Sequence, residues 1–299
     1  MKKSLLFLIL TLFVAGMAIE SAEAQPKRKK RRKSAGRGMP KRSKYFSFGG
    51  GVGYNNYFGD LSPANGIGSS SFNGVNLYFG AVGEYRFHPN FSARAGLAYT
   101  MISASDASAD PSGDASTKGR YSRNLHFRNN MIEFSSMITA NIFPVNRGYL
   151  KRAKVNPYVF MGLNVFTNNP QARAYGKGDA GDWINLRELK TEGQGTSTGP
   201  QAYPGIQLGI PFGLGVKFAI TRKIDISFEL GYRFTFSNYL DDVGSSYLSE
   251  AEMRAANPTT VRMSNRSGEL IDNFGKARTY KGAPIVNVIG DPSKFRTIS

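Results

Sequence analysis

The sequence predicts an all-β chain, folded as a small antiparallel up-and-down transmembrane β-barrel of about eight strands. Three observations predict it. Seven segments read as strands, six of them alternating apolar with small or polar residues at period two, and most exceed the ~5–6 residues usual in soluble sheets. The polar faces collect glycines and single ionisable residues, as a narrow filled interior requires. The connections alternate long and short, in the manner of outer-membrane barrels with short periplasmic turns and long external loops.

Composition narrows the classes further. The 299 residues suit one large domain or two small ones. With no cysteine, disulfides, thiolate metal sites, cysteine nucleophiles and a lipoprotein anchor are excluded. Gly 34, Phe 21 and Tyr 15 against a single Trp give the glycine and aromatic bias of β-rich chains. No later stretch reaches the ~18 apolar residues of a membrane helix.

In chain order, residues 1–24 read as a secretory signal peptide. Lys2 and Lys3 form the positive start, Leu5 to Ala18 the apolar run, and Ala22-Glu23-Ala24 the cleavage site before Gln25. Residues 25–44 form a polybasic arm, expected to be disordered and periplasmic. Residues 1–44 carry a net +11 of the formal +18. Behind a signal peptide such a run does not meet nucleic acid. Its functional reading is a contact for anionic headgroups or an acidic partner, carried by Lys27, Arg28, Lys29, Lys30, Arg31, Arg32 and Lys33.

The barrel is expected over 45–299. The first strand, 45–58, sets Phe46, Phe48, Val52, Tyr54 and Phe58 against Ser47, Gly49, Gly51, Gly53 and Asn55. Its glycines suit a strand that curves close to its neighbours, with Tyr57 and Phe58 in an external aromatic girdle. Segments 72–87, 91–101 and 128–142 alternate likewise, with Glu84, Arg86, Arg94 and Glu133 on their polar faces. Segment 155–166 is apolar on both faces, so its phase stays open. Segments 206–219 and 224–239 follow, the latter placing Asp225, Glu229 and Arg233 opposite Phe228, Leu230 and Phe234. A soluble sandwich or lipocalin-like barrel would use the same period with the opposite sense. Glycine and lone charges on the polar faces favour lipid outside. Bacterial single-chain barrels have even strand numbers, so the expectation is a chain truncated before its closing strand.

Chemistry-bearing motifs are few. Gly176 to Gly181 match G-x-G-x-x-G, but without a preceding strand they read as a loop with glycine turns. Asp106, Asp110 and Asp114 match no calcium loop and read as solvated, as do Asp241 and Asp242. His88 falls in a short turn and His126 in an external loop, with no nucleophile motif. Glu84, Arg86, Arg94, Glu133, Asp225, Glu229 and Arg233 are expected to be ion pairs inside the barrel, because buried charges must be paired. No catalytic residue, metal or cofactor is expected.

Several stretches together resemble the PorG family of outer-membrane β-barrels associated with the type IX secretion system of Bacteroidetes. They are Tyr57, Phe58, Gly59, Asp60 and Leu61; Arg128, Asn129 and Glu133; Asn156-Pro157-Tyr158 with Phe160 and Gly162; Leu189 with Thr191, Glu192, Gly193, Gln194 and Gly195; Ile210-Pro211 with Gly213 and Gly215; Glu229 and Arg233; and Tyr239, Leu240, Asp241, Asp242 and Val243. The resemblance covers roughly residues 45–270. It implies a non-enzymatic outer-membrane component of protein secretion and gliding motility, linked to a periplasmic ring of PorK- and PorN-like proteins. Its expected partners are that ring and outer-membrane lipid, with no nucleic acid and no small-molecule substrate.

Overall fold

The computed structural model describes residues 8–14, 44–61, 76–108, 119–121, 123–145, 150, 152–174, 181–244, 258–264, 266, 279–280 and 283–284. Twelve strands run through them, with short helical stretches between. The strands are β1 (Leu8–Val14), β2 (Tyr45–Phe58), β3 (Leu77–Arg86), β4 (Phe91–Ser105), β5 (His126–Asn141), β6 (Val155–Thr167), β7 (Gln171–Arg173), β8 (Trp183–Asn185), β9 (Ile206–Ala219), β10 (Asp225–Thr235), β11 (Thr279–Tyr280) and β12 (Ala283–Pro284). Two of the helical stretches are α1 (Leu186–Leu189) and α2 (Pro258–Ser264).

Eight strands close into one ring in the order β1-β2-β3-β4-β5-β6-β9-β10, and every pairing is antiparallel. Chain neighbours are spatial neighbours, so the topology is up-and-down. β7 adds to β5 above the end of β6, and β8 adds to β7.

The sense of the alternation is inverted relative to a soluble protein. Phe46, Phe48, Leu97, Ile132, Phe134, Leu163, Leu208, Leu214 and Phe228 are exposed on the outer wall. Glu84, Arg94, Asn129, Glu133, Thr139, Asn164 and Arg233 are buried inside it. Water would not tolerate such a continuous apolar band, whereas acyl chains require it. The open phase of 155–166 is settled as well. Asn156, Tyr158, Phe160 and Phe166 are buried, while Val155, Val159, Met161 and Leu163 are exposed.

The short connections 87–90, 142–154 and 220–224 gather at one end, and the long ones at the other. At the short end His88 and Phe91 exchange backbone hydrogen bonds of 3.2 Å, which closes the β3–β4 turn. A cluster of Tyr57, Leu61, Ile102, Leu125, Phe127, Met131, Phe166, Leu240 and Val243 seals the long-loop end.

The sequence reading left the ring one strand short. The eighth place is instead filled by β1, from the apolar run read as leader. β1 pairs with both edges, setting Thr11 opposite Asn55 and Gly231, and Leu12 opposite Tyr54 and Leu230. LILTLFV is a breaker-free apolar run, and periodicity cannot assign such a run to helix or strand. Two strand edges facing each other across one vacant place are a template for it. Of the polybasic arm only Lys44 lies within the described residues, and Lys27 to Lys33 lie outside them.

Candidate functional site

Inside the ring, facing strands carry opposite charges at matching heights. Glu84 of β3 stands across from Lys217 of β9, whose Nζ lies 2.8 Å from both carboxylate oxygens. Arg94 of β4, the register partner of Glu84, approaches it to 3.3 Å, and Arg86 lies at 3.8 Å. Arg94 also reaches Glu229 of β10 at 2.5 Å, and the Tyr158 hydroxyl donates to the same carboxylate oxygen. Nearer the long-loop end, Arg233 pairs with Glu133 at 2.9 Å and lies over the Tyr78 ring. At the short-turn mouth Asp225 pairs with Arg152 at 2.7 Å.

All seven charges singled out in the sequence thus point inward and meet partners. Alternation also put Lys217 on the polar face, but not which acid it meets. Arg152 sits in a turn, where no period marks it. The network leaves a void of about 30 Å3 bordered by Tyr78, Arg94, Glu133, Phe160, Glu229 and Arg233. That is room for a couple of water molecules. Its carboxylates are held by cations that mostly reach them from strands across the ring.

The second constellation is the long-loop end, where two motif stretches meet. Thr191 donates its hydroxyl to Asp242, the Tyr203 hydroxyl donates to the same carboxylate at 2.7 Å, and the Gly244 N–H donates to Glu192 at 3.2 Å. Gly193 and Gly195 have φ of 70° and 75°, which explains the glycines of LKTEGQG. Asn129 of β5 donates to the Leu240 carbonyl at 3.0 Å, and Asn168 to that of Tyr239 at 3.0 Å, tying YLDDV to the wall. α2 straps the cap, with Ser264 donating to the Thr191 carbonyl and Thr260 to that of Leu189.

Several sequence expectations change here. Asp241 and Asp242 are not solvated: they are 2% and 1% exposed. Nor is Asp106, whose carboxylate receives Arg123 at 2.7 and 2.9 Å and the Leu125 N–H at 3.0 Å. Asp110 and Asp114 lie outside the described residues. Tyr57 is not part of a girdle but turns inward, donating to Asp241 at 2.7 Å and packing edge-on against Phe127. Phe58 is half-buried, Gly59 and Asp60 make the turn, and Leu61 is buried in the cap. His126 begins β5 rather than lying in a loop, and its Nε2 accepts the Arg173 N–H at 3.0 Å. Of the glycine match, only Gly181 is described. Beyond it, residues 183–189 form β8 and then α1.

Burial sets the electrostatics of the cap. It raises the Asp241 carboxyl well above the usual carboxylate range, with the Asp60 charge adding to the shift. It raises Asp106 too, against the opposing pull of Arg123, and the Tyr203 phenol, with Asp242 reinforcing it. Sequence reasoning missed this cap because acid- and glycine-rich stretches look like solvent-facing loop. The usable signal was the tyrosines and asparagines among them, which bury polar tips only beside partners. Among the described residues no group of three acids or histidines is placed to hold a metal ion.

An apolar outer wall, a charge-filled interior and short turns opposite long loops define a membrane β-barrel of the up-and-down type. Residues 41–182, from the approach to β2 through β7, match the family described as "Domain of unknown function (DUF6089)". No curated protein matches the chain. Among solved structures it is similar to Ail, the attachment invasion locus protein of Yersinia pestis, solved in complex with the heparin analogue sucrose octasulfate. Identity is 9%, with 78% of this chain and 100% of that chain covered and a TM-score of 0.24.

Proposed function

We propose that the chain is a non-enzymatic outer-membrane barrel of the type IX secretion and gliding machinery, exported by a cleaved signal peptide. It anchors periplasmic ring proteins of the PorK and PorN kind to the membrane. The observation that carries this reading is the ion-paired interior: Glu84 with Lys217 and Arg94, then Glu229 with Tyr158, span the described lumen and border a void of about 30 Å3. Such a barrel serves as a fixture rather than a conduit. The joining of LKTEGQG and YLDDV into one cap supports the resemblance, since both stretches contribute to one folded unit.

On this reading the long loops face outward. The turns at 88–90, 143–154 and 220–223, with the basic arm at 26–44, face the ring. The other reading, an enzyme or adhesin acting through the loops, has less support, because the described acids of the cap are engaged by the chain's own donors. Affinity capture from detergent-solubilised outer membranes tests the proposal. Recovery of ring proteins, weakened when Lys27 to Lys33 are replaced by Gln, is the expected result. Capture of no ring protein, together with intact secretion in a deletion strain, overturns it.

A further inference from the structure

The outward face of β5 climbs from the apolar band into a basic, aromatic patch. Ile138, Phe134 and Ile132 are exposed, and Asn130 and Arg128 occupy the next outward positions. At about 3.3 Å per residue, Arg128 stands about 13 Å along the strand beyond Ile132, at headgroup depth for a band ending there. There β7 and β8 extend the wall, setting Gln171 opposite Arg128 and Trp183 opposite Arg173.

Both guanidiniums lie on the single indole. Their carbons are 3.9 Å (Arg128) and 4.4 Å (Arg173) from the Trp183 ring centroid. Arg128 Nε donates to Gln171 at 3.0 Å, Gln171 donates to Asn185 at 2.7 Å, and Arg173 Nη1 donates to the Gly181 carbonyl at 2.7 Å. Behind them Arg266 donates to the Arg173 carbonyl at 2.6 Å, adding a third cation. Among the described residues no acid forms an ion pair with either of the two arginines. Inside the barrel every such charge is matched, whereas here two like charges share one ring. Guanidinium nitrogens left over in this arrangement suit a phosphate, which takes Arg in a bidentate grip. Tryptophan is the residue of the membrane–water interface.

We infer that Arg128, Arg173 and Trp183 form a headgroup site for a phosphorylated glycolipid of the leaflet on the long-loop side. The guanidiniums take its phosphate and the indole stands at the interface. The site rests on the reading above that this leaflet is the outer one.

Because the chain has a single Trp, its emission reports the site directly. The full chain is refolded into phosphatidylcholine vesicles with increasing lipid A. A saturating change in Trp183 emission is expected, and Arg128→Gln/Arg173→Gln should need about tenfold more lipid A for half-saturation. Arg128→Lys/Arg173→Lys should fall between, and heat-modifiable migration checks that each variant is folded. Equal half-saturation in wild type and the Gln variant, or the same change from inorganic phosphate alone, overturns the site. Orientation is read separately. The chain lacks cysteine, so Ser197→Cys introduces a lone thiol on an exposed loop position. Labelling in intact cells supports the outer leaflet. Labelling only after disruption overturns the leaflet assignment while leaving the vesicle titration to judge the chemistry.

Discussion

At the scale of single residues, the cap turns on which protonation state a buried acid prefers. Asp241 is 2% exposed, accepts from Tyr57 and from the Val243 N–H, and faces the charge of Asp60. Its native carboxyl therefore holds a proton to higher pH than the ~3.9 of an unfolded chain. A raised native value means its stabilisation is complete below the unfolded value and is lost as pH rises through the native one. The cap should resist protease nicking within 236–244 better at pH 5 than at pH 8. Asp241→Asn, which mimics the protonated acid, should narrow the difference between the two, leaving what buried Asp106 contributes. A wild-type cap nicked faster at pH 5 would contradict the assignment.

At the scale of elements, the wall was legible and the cap was not, for physical reasons. Phe228, Leu230 and Phe234 alternate with Glu229, Gly231 and Arg233 because lipid and lumen impose opposite demands at every step. In β6 both faces are apolar, since Tyr158 and Phe160 are aromatics that fill the interior over glycines of β9. Only three-dimensional pairing reveals that, as it reveals Asp106 on Arg123 and Asp242 on Thr191, partners 17 and 51 residues apart. The pairing of glycine with aromatic is testable. A Cβ on Gly215 would stand 2.5 Å from the Tyr158 ring and 2.9 Å from the Phe228 carbonyl. Gly215→Ala should lower unfolding stability by ~1–3 kcal/mol in urea titrations in lipid, the usual cost of overpacking. Adding Tyr158→Leu should recover part of that loss; an unchanged midpoint in the single variant would refute the close approach.

At the scale of the whole molecule, closure of the ring depends on a seam unlike the other junctions. Seven strands of the ring span 10 to 16 residues, whereas β1 contributes seven. LILTLFV also has no regular polar face, although its register sets Phe13 opposite Glu229 and Gly53. The segment therefore supplies backbone pairing at the seam without the alternation that the rest of the wall displays. If export removes residues 1–24, β2 and β10 are left with unpaired edges facing a one-strand gap, free to take another strand. The chain beginning at Gln25 should then lose its compact, heat-modifiable form at a lower temperature than the full chain when both are refolded in the same detergent. A synthetic alternating strand peptide supplied in excess should raise that temperature for the shorter chain and leave the longer one unmoved. Identical transitions for the two chains would mean that the seam adds nothing to the stability of the barrel, and that β2 and β10 close by another route.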